Sequence, residues 1–455
     1  MLKYKQINKK RFFIMKNLLI LLCIPLLILT SCSGDKENVK EYTDDELLLL
    51  GEDYLSALLT GKYEEAYNAF GHDKDMEEAV SPEAYKEIFD QLKVRSGNLL
   101  EKKGSSLEVK GDYRIASYGL IFENQSLNMN VVFNKEGQIS GLNFSQYTFG
   151  PEEELSDNER EIEFGVEGYK LKGILTLPPD KEGPHPCIIL VHGSGPNDLD
   201  EAIGPNKPFK DIAEGLSQKG IAVFRYNKRT FTHGHKMMED GIITPYEETV
   251  EDVIKAFEVI SKRDDVDPNE VYILGHSMGG NLIPKVNEYL DDPAGYVIMA
   301  GSVSYLEDLM VEQIEYLANL DGNVTEEEEK YISETKAAVE KIKNLDELEP
   351  GEMILNAHKE YWQYFHDYNI EESVKNINVP TLVLQGERDY QVNMYEFNKW
   401  KDMTNSLGNF TFISYEKLNH LMMPGEGKPN SEEYMVKNKV SEDVIEDIYQ
   451  FIMEE

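Results

Sequence analysis

Apolar positions along the chain follow three successive rhythms, and each predicts a different kind of element. Behind Thr43-Asp44-Asp45-Glu46, a capping-box pattern, Leu47, Leu50, Tyr54 and Leu58 recur at helical spacing. Ser81-Pro82 opens another helix, with Tyr85, Ile88, Phe89 and Leu92 along it. After Gly104 the period drops to two: Leu107 and Val109, then Leu120 to Phe122, then Leu127, Met129, Val131 and Phe133. Asn134-Lys135-Glu136-Gly137 marks a hairpin into Ile139, Leu142 and Phe144. Helices followed by an antiparallel sheet predict a small α+β domain over 43–147.

An acidic linker at 151–160 leads to the third rhythm. Glu161 to Thr176 reads as two antiparallel strands turning at Gly165 to Gly168. Beyond them come short continuous apolar runs: Cys187 to Val191, Ile221 to Phe224, Val271 to Leu274, Tyr296 to Ala300, Thr381 to Leu384 and Phe410 to Ser414. Such runs suit strands buried on both faces, and helical stretches such as Thr249 to Ser261 and Ser441 to Met453 separate most of them. The alternation predicts an α/β fold, a doubly wound and mostly parallel sheet over 161–455 with ligands bound beyond the carboxyl ends of its strands. The stretch at about 303–378 interrupts it with amphipathic helices, one opened by Thr325-x-x-Glu328, and is expected to form a helical lid.

The first 31 residues differ from the rest. Six Lys and Arg precede an apolar run from Leu18 to Leu29, and Leu29-Thr30-Ser31-Cys32 follows. The run is short for a membrane span and is broken by Pro25. The segment resembles a bacterial lipoprotein signal peptide, in which Cys32 receives the lipid (palmitate among its acyl groups), 32–42 is a tether, and the protein sits on the extracytoplasmic face of the membrane. Met15-Lys16-Asn17 begins an equally complete leader, so the start site is open. Of three cysteines, Cys23 leaves with the leader and Cys32 is used, so Cys187 stands alone in an apolar strand and no intrachain disulfide forms. With too few Cys for a thiolate site and no His-Glu-x-x-His helix, neither a metal nor a cofactor is expected. The formal charge of −38, more negative still without the basic leader, disfavours nucleic acid and a polybasic mode of membrane attachment.

Chemistry concentrates at strand ends. Val271 to Leu274 runs into Gly275-His276-Ser277-Met278-Gly279, a strand-to-helix turn that lifts a serine hydroxyl clear of the backbone. Cys187 to Val191 delivers His192-Gly193-Ser194-Gly195-Pro196, Thr381 to Leu384 delivers Glu387-Arg388-Asp389-Tyr390, and Phe410 to Ser414 leads to Leu418-Asn419-His420. Serine is a weak nucleophile unless a base takes its proton, so His420 is read as general base and Asp389 as the carboxylate that orients it, with Glu387 as the alternative acid. The N–H groups of Met278 and Ser194 are candidates for the oxyanion hole. Pro284 is expected to bend the helix after Ser277.

With Tyr226-Asn227-Lys228-Arg229 added, these segments stand where the α/β-hydrolase-fold serine esterases carry their motifs, and 161–455 resembles the dienelactone-hydrolase and serine-aminopeptidase-like branches of that family. The resemblance implies an ester or acyl substrate of small to medium size and an acyl-enzyme intermediate. Peptide cleavage and acyl transfer remain open on the same triad, as does a non-catalytic envelope-binding lipoprotein. The domain at 43–147 resembles, by pattern alone, the nuclear-transport-factor-like domains that precede hydrolase domains in some bacterial lipoproteins, which implies a spacer or binding module. Its His72 is expected in a surface loop. His192, His276, His233 (with His235 nearby), Tyr361, Trp362 and Phe365 are the candidates to line the substrate pocket, although packing roles fit them as well. The natural substrate and the oligomeric state are open.

Overall fold

Thr43 caps the first helix as its spacing predicts: its hydroxyl accepts from the N–H of Glu46 at 3.2 Å, and the Glu46 carboxylate accepts from the N–H of Thr43 at 2.9 Å. The computed structural model describes residues 42–123, 126–146, 155–179, 182–241 and 244–454. The leader, Cys32 and the tether up to residue 41 lie outside the described residues, as do 151–154 of the linker. The chain divides into two compact units, one ending at Glu154 and the other spanning Leu155–Glu455.

In the smaller unit, helices α1 (Asp44–Leu59), α2 (Tyr63–Ala69), α3 (Lys74–Ala79) and α4 (Pro82–Ser96) accompany an antiparallel sheet. Its strands β1 (Leu99–Lys110), β2 (Tyr113–Phe122), β3 (Ser126–Phe133) and β4 (Ile139–Gln146) lie in that order. Ser81 caps α4, with Pro82 at its first position. The sheet starts at Leu99, earlier than the alternation suggests, because β1 runs through Gly104 by shifting its register between Lys102 and Ser105. His72 is not on the surface: it is 5% exposed, with Nε2 3.1 Å from the Tyr85 hydroxyl and 3.4 Å from that of Tyr54. The bonds Ile139 N to Gly71 O, 2.8 Å, and Asp73 N to Ile139 O, 3.0 Å, tie its loop to β4 and turn the ring inward.

In the larger unit, β5 (Glu159–Val166) and β6 (Tyr169–Thr176) form the predicted hairpin, and β6 pairs antiparallel with β8 (Ala222–Tyr226). The remaining pairings of this eight-stranded sheet are parallel, through β7 (His185–Val191), β9 (Val266–His276), β10 (Gly295–Met299), β11 (Thr381–Gly386) and β12 (Phe410–Tyr415). The sheet reads β12-β11-β10-β9-β7-β8-β6-β5. The interior runs are where they are because helices cover both faces: Ile188, Ile189 and Leu190 are all fully buried, and alternate residues of β7 belong to two different cores, whereas β12, expected to be buried on both faces, is the sheet's edge and only half-buried.

Helices α5 (Pro208–Lys219), α6 (Arg229–Glu239) and α7 (Glu251–Ile260) link the early strands, and α8 (Met278–Asn281) and α9 (Ile283–Asn287) follow Ser277 as two short pieces. Pro284 occupies the first turn of α9, at the bend its ring demands. Between β10 and β11 the chain inserts α10 (Leu306–Ala318), α11 (Glu326–Ile342), capped by Thr325, and α12 (Lys359–Asp367); α13 (Met394–Thr404) and α14 (Glu442–Glu454) follow later strands. The fold is thus α/β: a mostly parallel sheet flanked by helices, with a helical insertion, preceded by a small α+β unit.

Candidate active site

Ser277 joins β9 to α8 with φ 53° and ψ −116°, a conformation a residue with a side chain adopts only when its surroundings impose it. The flanking glycines explain how the turn closes. A Cβ on Gly275 would stand 2.4 Å from the carbonyl oxygen of Gly279, and one on Gly279 2.6 Å from the carbonyl oxygens of Val191 and His192. The turn is anchored by Ser277 N donating to Met299 O at 2.9 Å.

Asp389, 4% exposed, follows β11. Its Oδ1 accepts from the N–H groups of Gln391 and Val392 at 2.7 and 3.0 Å, and Oδ2 accepts from Gln385 Nε2 at 3.1 Å and from His420 Nδ1 at 2.6 Å. A carboxylate has no proton to give, so Nδ1 carries the hydrogen and Nε2 of His420 keeps its lone pair, the tautomer a general base needs. The His420 loop lies directly over the end of β11: a Cβ on Gly386 would meet the Leu418 and Asn419 carbonyl oxygens at 2.4 and 2.7 Å. Asn419 Oδ1 holds the loop by accepting from Leu421 N and Met423 N. Glu387 instead takes a bond from Ser414 Oγ at 2.8 Å, away from His420.

Behind these groups lies a buried chain in which His276, adjacent to the serine motif, meets Glu201, a residue no motif marks. Gly193 N donates to Glu201 Oε1 at 2.6 Å. Glu201 Oε2 lies 2.8 Å from His276 Nδ1, an ion-pair contact bent from hydrogen-bond geometry, and His276 Nε2 donates to the main-chain oxygen of His420 at 3.0 Å. Burial opposes charge on both members, yet Glu201 raises the affinity of His276 for its proton and His276 holds the Glu201 carboxyl below its usual range. His276 and Glu201 are each 2% exposed. The pair therefore connects the turn at Gly193, the serine turn and the histidine loop.

The predicted pocket residues separate accordingly. Ser194, Ser277, Met278, Asn281, Leu309 and Phe365 are among those lining a narrow cavity at the strand ends. Asn281, Ser304 and Phe365 are shared with an adjoining cleft of about 690 Å³ that also touches Tyr305, His366 and Lys399. His192 does not line it: the ring is buried against Phe209 and Tyr226, Nε2 contacts the Asp198 carbonyl at 2.9 Å, and burial pushes its pKa down to about 4. His276 is a buried brace. His233 belongs to α6, packs on Tyr169 and contacts the Lys170 carbonyl at 2.7 Å, at the β5–β6 hairpin; the side chain of His235 lies outside the described ones. Trp362 is a core residue whose Nε1 donates to Ile354 O at 3.0 Å, and Tyr361 places its hydroxyl 3.3 Å from Met278 Sδ, so of the three aromatics Phe365 alone reaches the cavity. Among the described residues, no group of three or more His, Cys, Asp or Glu is placed to hold a metal ion.

The family described as serine aminopeptidase, S33, matches residues 184–427, and a protein family of unknown function, DUF3887, matches residues 51–142. Esterase EstD of Thermotoga maritima is 34% identical over 405 residues, covering 88% of this chain and 94% of that protein. Of solved structures, Est1E from Butyrivibrio proteoclasticus shares 16% identity at a TM-score of 0.42 over 65% of this chain and 98% of that one. The 2,6-dihydroxy-pseudo-oxynicotine hydrolase shares 15% at 0.41, over 66% and 70%.

Proposed function

Because the chain belongs to the serine aminopeptidase S33 family of α/β hydrolases, a family of serine hydrolases, we propose that it cleaves carboxylic esters through an acyl-enzyme on Ser277. The observation that carries this is the 2.6 Å bond between His420 Nδ1 and Asp389, which leaves Nε2 free to take a proton. In the proposed course, Ser277 Oγ attacks the ester carbonyl as its proton passes to His420 Nε2, and the tetrahedral oxyanion rests on the N–H groups of Met278 and Ser194. His420 then protonates the leaving alcohol. Water, deprotonated by the same imidazole, releases the acid and restores the serine.

Ester cleavage is favoured over aminopeptidase action by the lining of the narrow cavity, which among the described residues carries serines, amides and apolar groups and no charged side chain to anchor an α-ammonium beside Ser277, the carboxylates of Asp308, Glu371 and Asp402 belonging to the adjoining cleft. The identity with Esterase EstD along most of the chain supports the same reading. The inserted helices act as a lid, with Phe365 of α12 facing the cavity. Cys32 carries lipid and holds the enzyme on the extracytoplasmic face of the membrane, and the small N-terminal unit, of the nuclear-transport-factor-like type, serves as a spacer or binding module.

A panel of p-nitrophenyl acetate and butyrate set against aminoacyl p-nitroanilides tests the substrate class. Ester turnover is expected to dominate, and Ser277→Ala to lower it by about 10³-fold or more. Preference for the anilides, or undiminished ester turnover in Ser277→Ala, would overturn the reading.

A further inference from the structure

Lys228 is an unusual lysine: it is 1% exposed, and its Nζ lies 2.6 Å from Oε1 of Glu248, itself 4% exposed. Burying such a pair is costly, and an apolar pair of similar volume commonly stabilises a fold as well or better, so packing alone does not account for it. The ammonium has a second partner. It donates to the main-chain oxygen of Gly193 at 2.7 Å, and Asn197 Nδ2 reaches the same oxygen at 3.3 Å. Lys228 N also donates to Asn197 O at 3.1 Å, joining the two loops.

The consequence follows from the peptide plane. The Gly193–Ser194 bond is trans, so its C=O and N–H point in opposite directions. A carbonyl held toward Lys228 turns the N–H of Ser194 to the other side, and Ser194 lines the cavity with Ser277 and Met278. The preceding plane is fixed as well, since Gly193 N donates to Glu201 at 2.6 Å. The turn is pressed against the nucleophile: a Cβ on Gly193 would meet that of Ser277 at 3.1 Å. A cation on the carbonyl also polarises the amide and strengthens its N–H as a donor.

We propose that the buried Lys228–Glu248 pair is a positioning device for the oxyanion hole, which aims and polarises the Ser194 N–H. This rests on the triad reading, because it needs an oxyanion formed at Ser277. Lys228 touches no reacting atom.

The test compares p-nitrophenyl butyrate with its thionoester in the full-length enzyme, because sulfur is the longer-bonded and poorer hydrogen-bond acceptor and an ordered hole discriminates against it. Lys228→Met is expected to lose about 10²-fold in kcat with KM changed little, to lose most of its preference for the oxygen ester, and to keep fluorophosphonate labelling of Ser277. Lys228→Arg, which keeps the charge, is expected to restore much of the preference. Should Lys228→Met fail to fold, Lys228→Met/Glu248→Leu, which leaves no charge unpaired, carries the same expectation. Either soluble variant with wild-type discrimination between the two esters would overturn the proposal, even if its kcat fell. Absence of labelling in the wild-type enzyme would overturn the triad reading beneath it, and the two failures are told apart by that label.

Discussion

Asp389 is the residue on which the proposed chemistry turns most sharply, because its carboxylate accepts four hydrogen bonds and one of them selects the tautomer of His420. Asp389→Asn keeps the shape but presents an amide to Nδ1, so the imidazole is free to reverse its proton. Initial rates on p-nitrophenyl butyrate are expected to fall by about 10³–10⁴-fold while circular dichroism stays native; a loss under tenfold would deny Asp389 its role. The residues of this row were legible in sequence because each follows an apolar run, buried before Ser277 and Asp389 and half-buried before His420, where a polar side chain has few structural uses. Glu201 was not, and Lys228 was legible only as a member of the segment Tyr226–Arg229, with no burial or role attached. Each is a charged residue in a loop, whose ordinary place is solvent, and each is buried only because a partner from a distant segment, His276 or Glu248, arrives beside it. His72 escaped for the same reason, its tyrosine partners lying on two separate helices.

Strands and turns show how elements converge on one point. Gly279 and Gly386 stand where a Cβ would collide with carbonyls of a neighbouring segment, and Gly275 where it would collide with that of Gly279 across its own turn, so close approach is written into the glycines. Gly275 and Gly279 were readable beside Ser277; Gly386 was not, since its purpose appears only when the His420 loop lies on it. The Glu201–His276 pair links these loops, and its contribution to stability depends on pH. His276 is held above its ordinary 6.5, so its share is complete below pH 6.5 and is lost as pH rises through the folded value. Glu201 is held below 4.5, so its share is complete above pH 4.5 and is lost as pH falls through the folded value. Thermal unfolding of Glu201→Gln against wild type across pH is therefore expected to show the largest deficit, about 3 kcal/mol, between pH 4.5 and 6.5, narrowing on both sides. A deficit constant with pH would mean that the pair contributes by shape alone.

At the scale of the whole molecule, division of labour is the organising feature. The proposed chemistry draws on residues of Leu155–Glu455. The acidic linker, and the continuous apolar runs that replace alternation beyond it, made the two-part organisation visible in sequence, because a linker needs no core and strands buried on both faces lose their alternation. The inserted helices were visible too, but which of their aromatics reaches the cavity was not: Tyr361, Trp362 and Phe365 share one helix, and its rotation decides among them. Cys32→Ser is expected to move the protein from the membrane to the soluble fraction on fractionation of producing cells; unchanged membrane association would remove the lipid-anchor proposal. The acyl-enzyme is tested most directly by quenching the enzyme with acid milliseconds after mixing with p-nitrophenyl acetate and mapping the adduct by peptide mass spectrometry. The expected result is one acetyl group on the peptide containing Ser277, absent in Ser277→Ala; turnover with the acetyl group on another residue would contradict it.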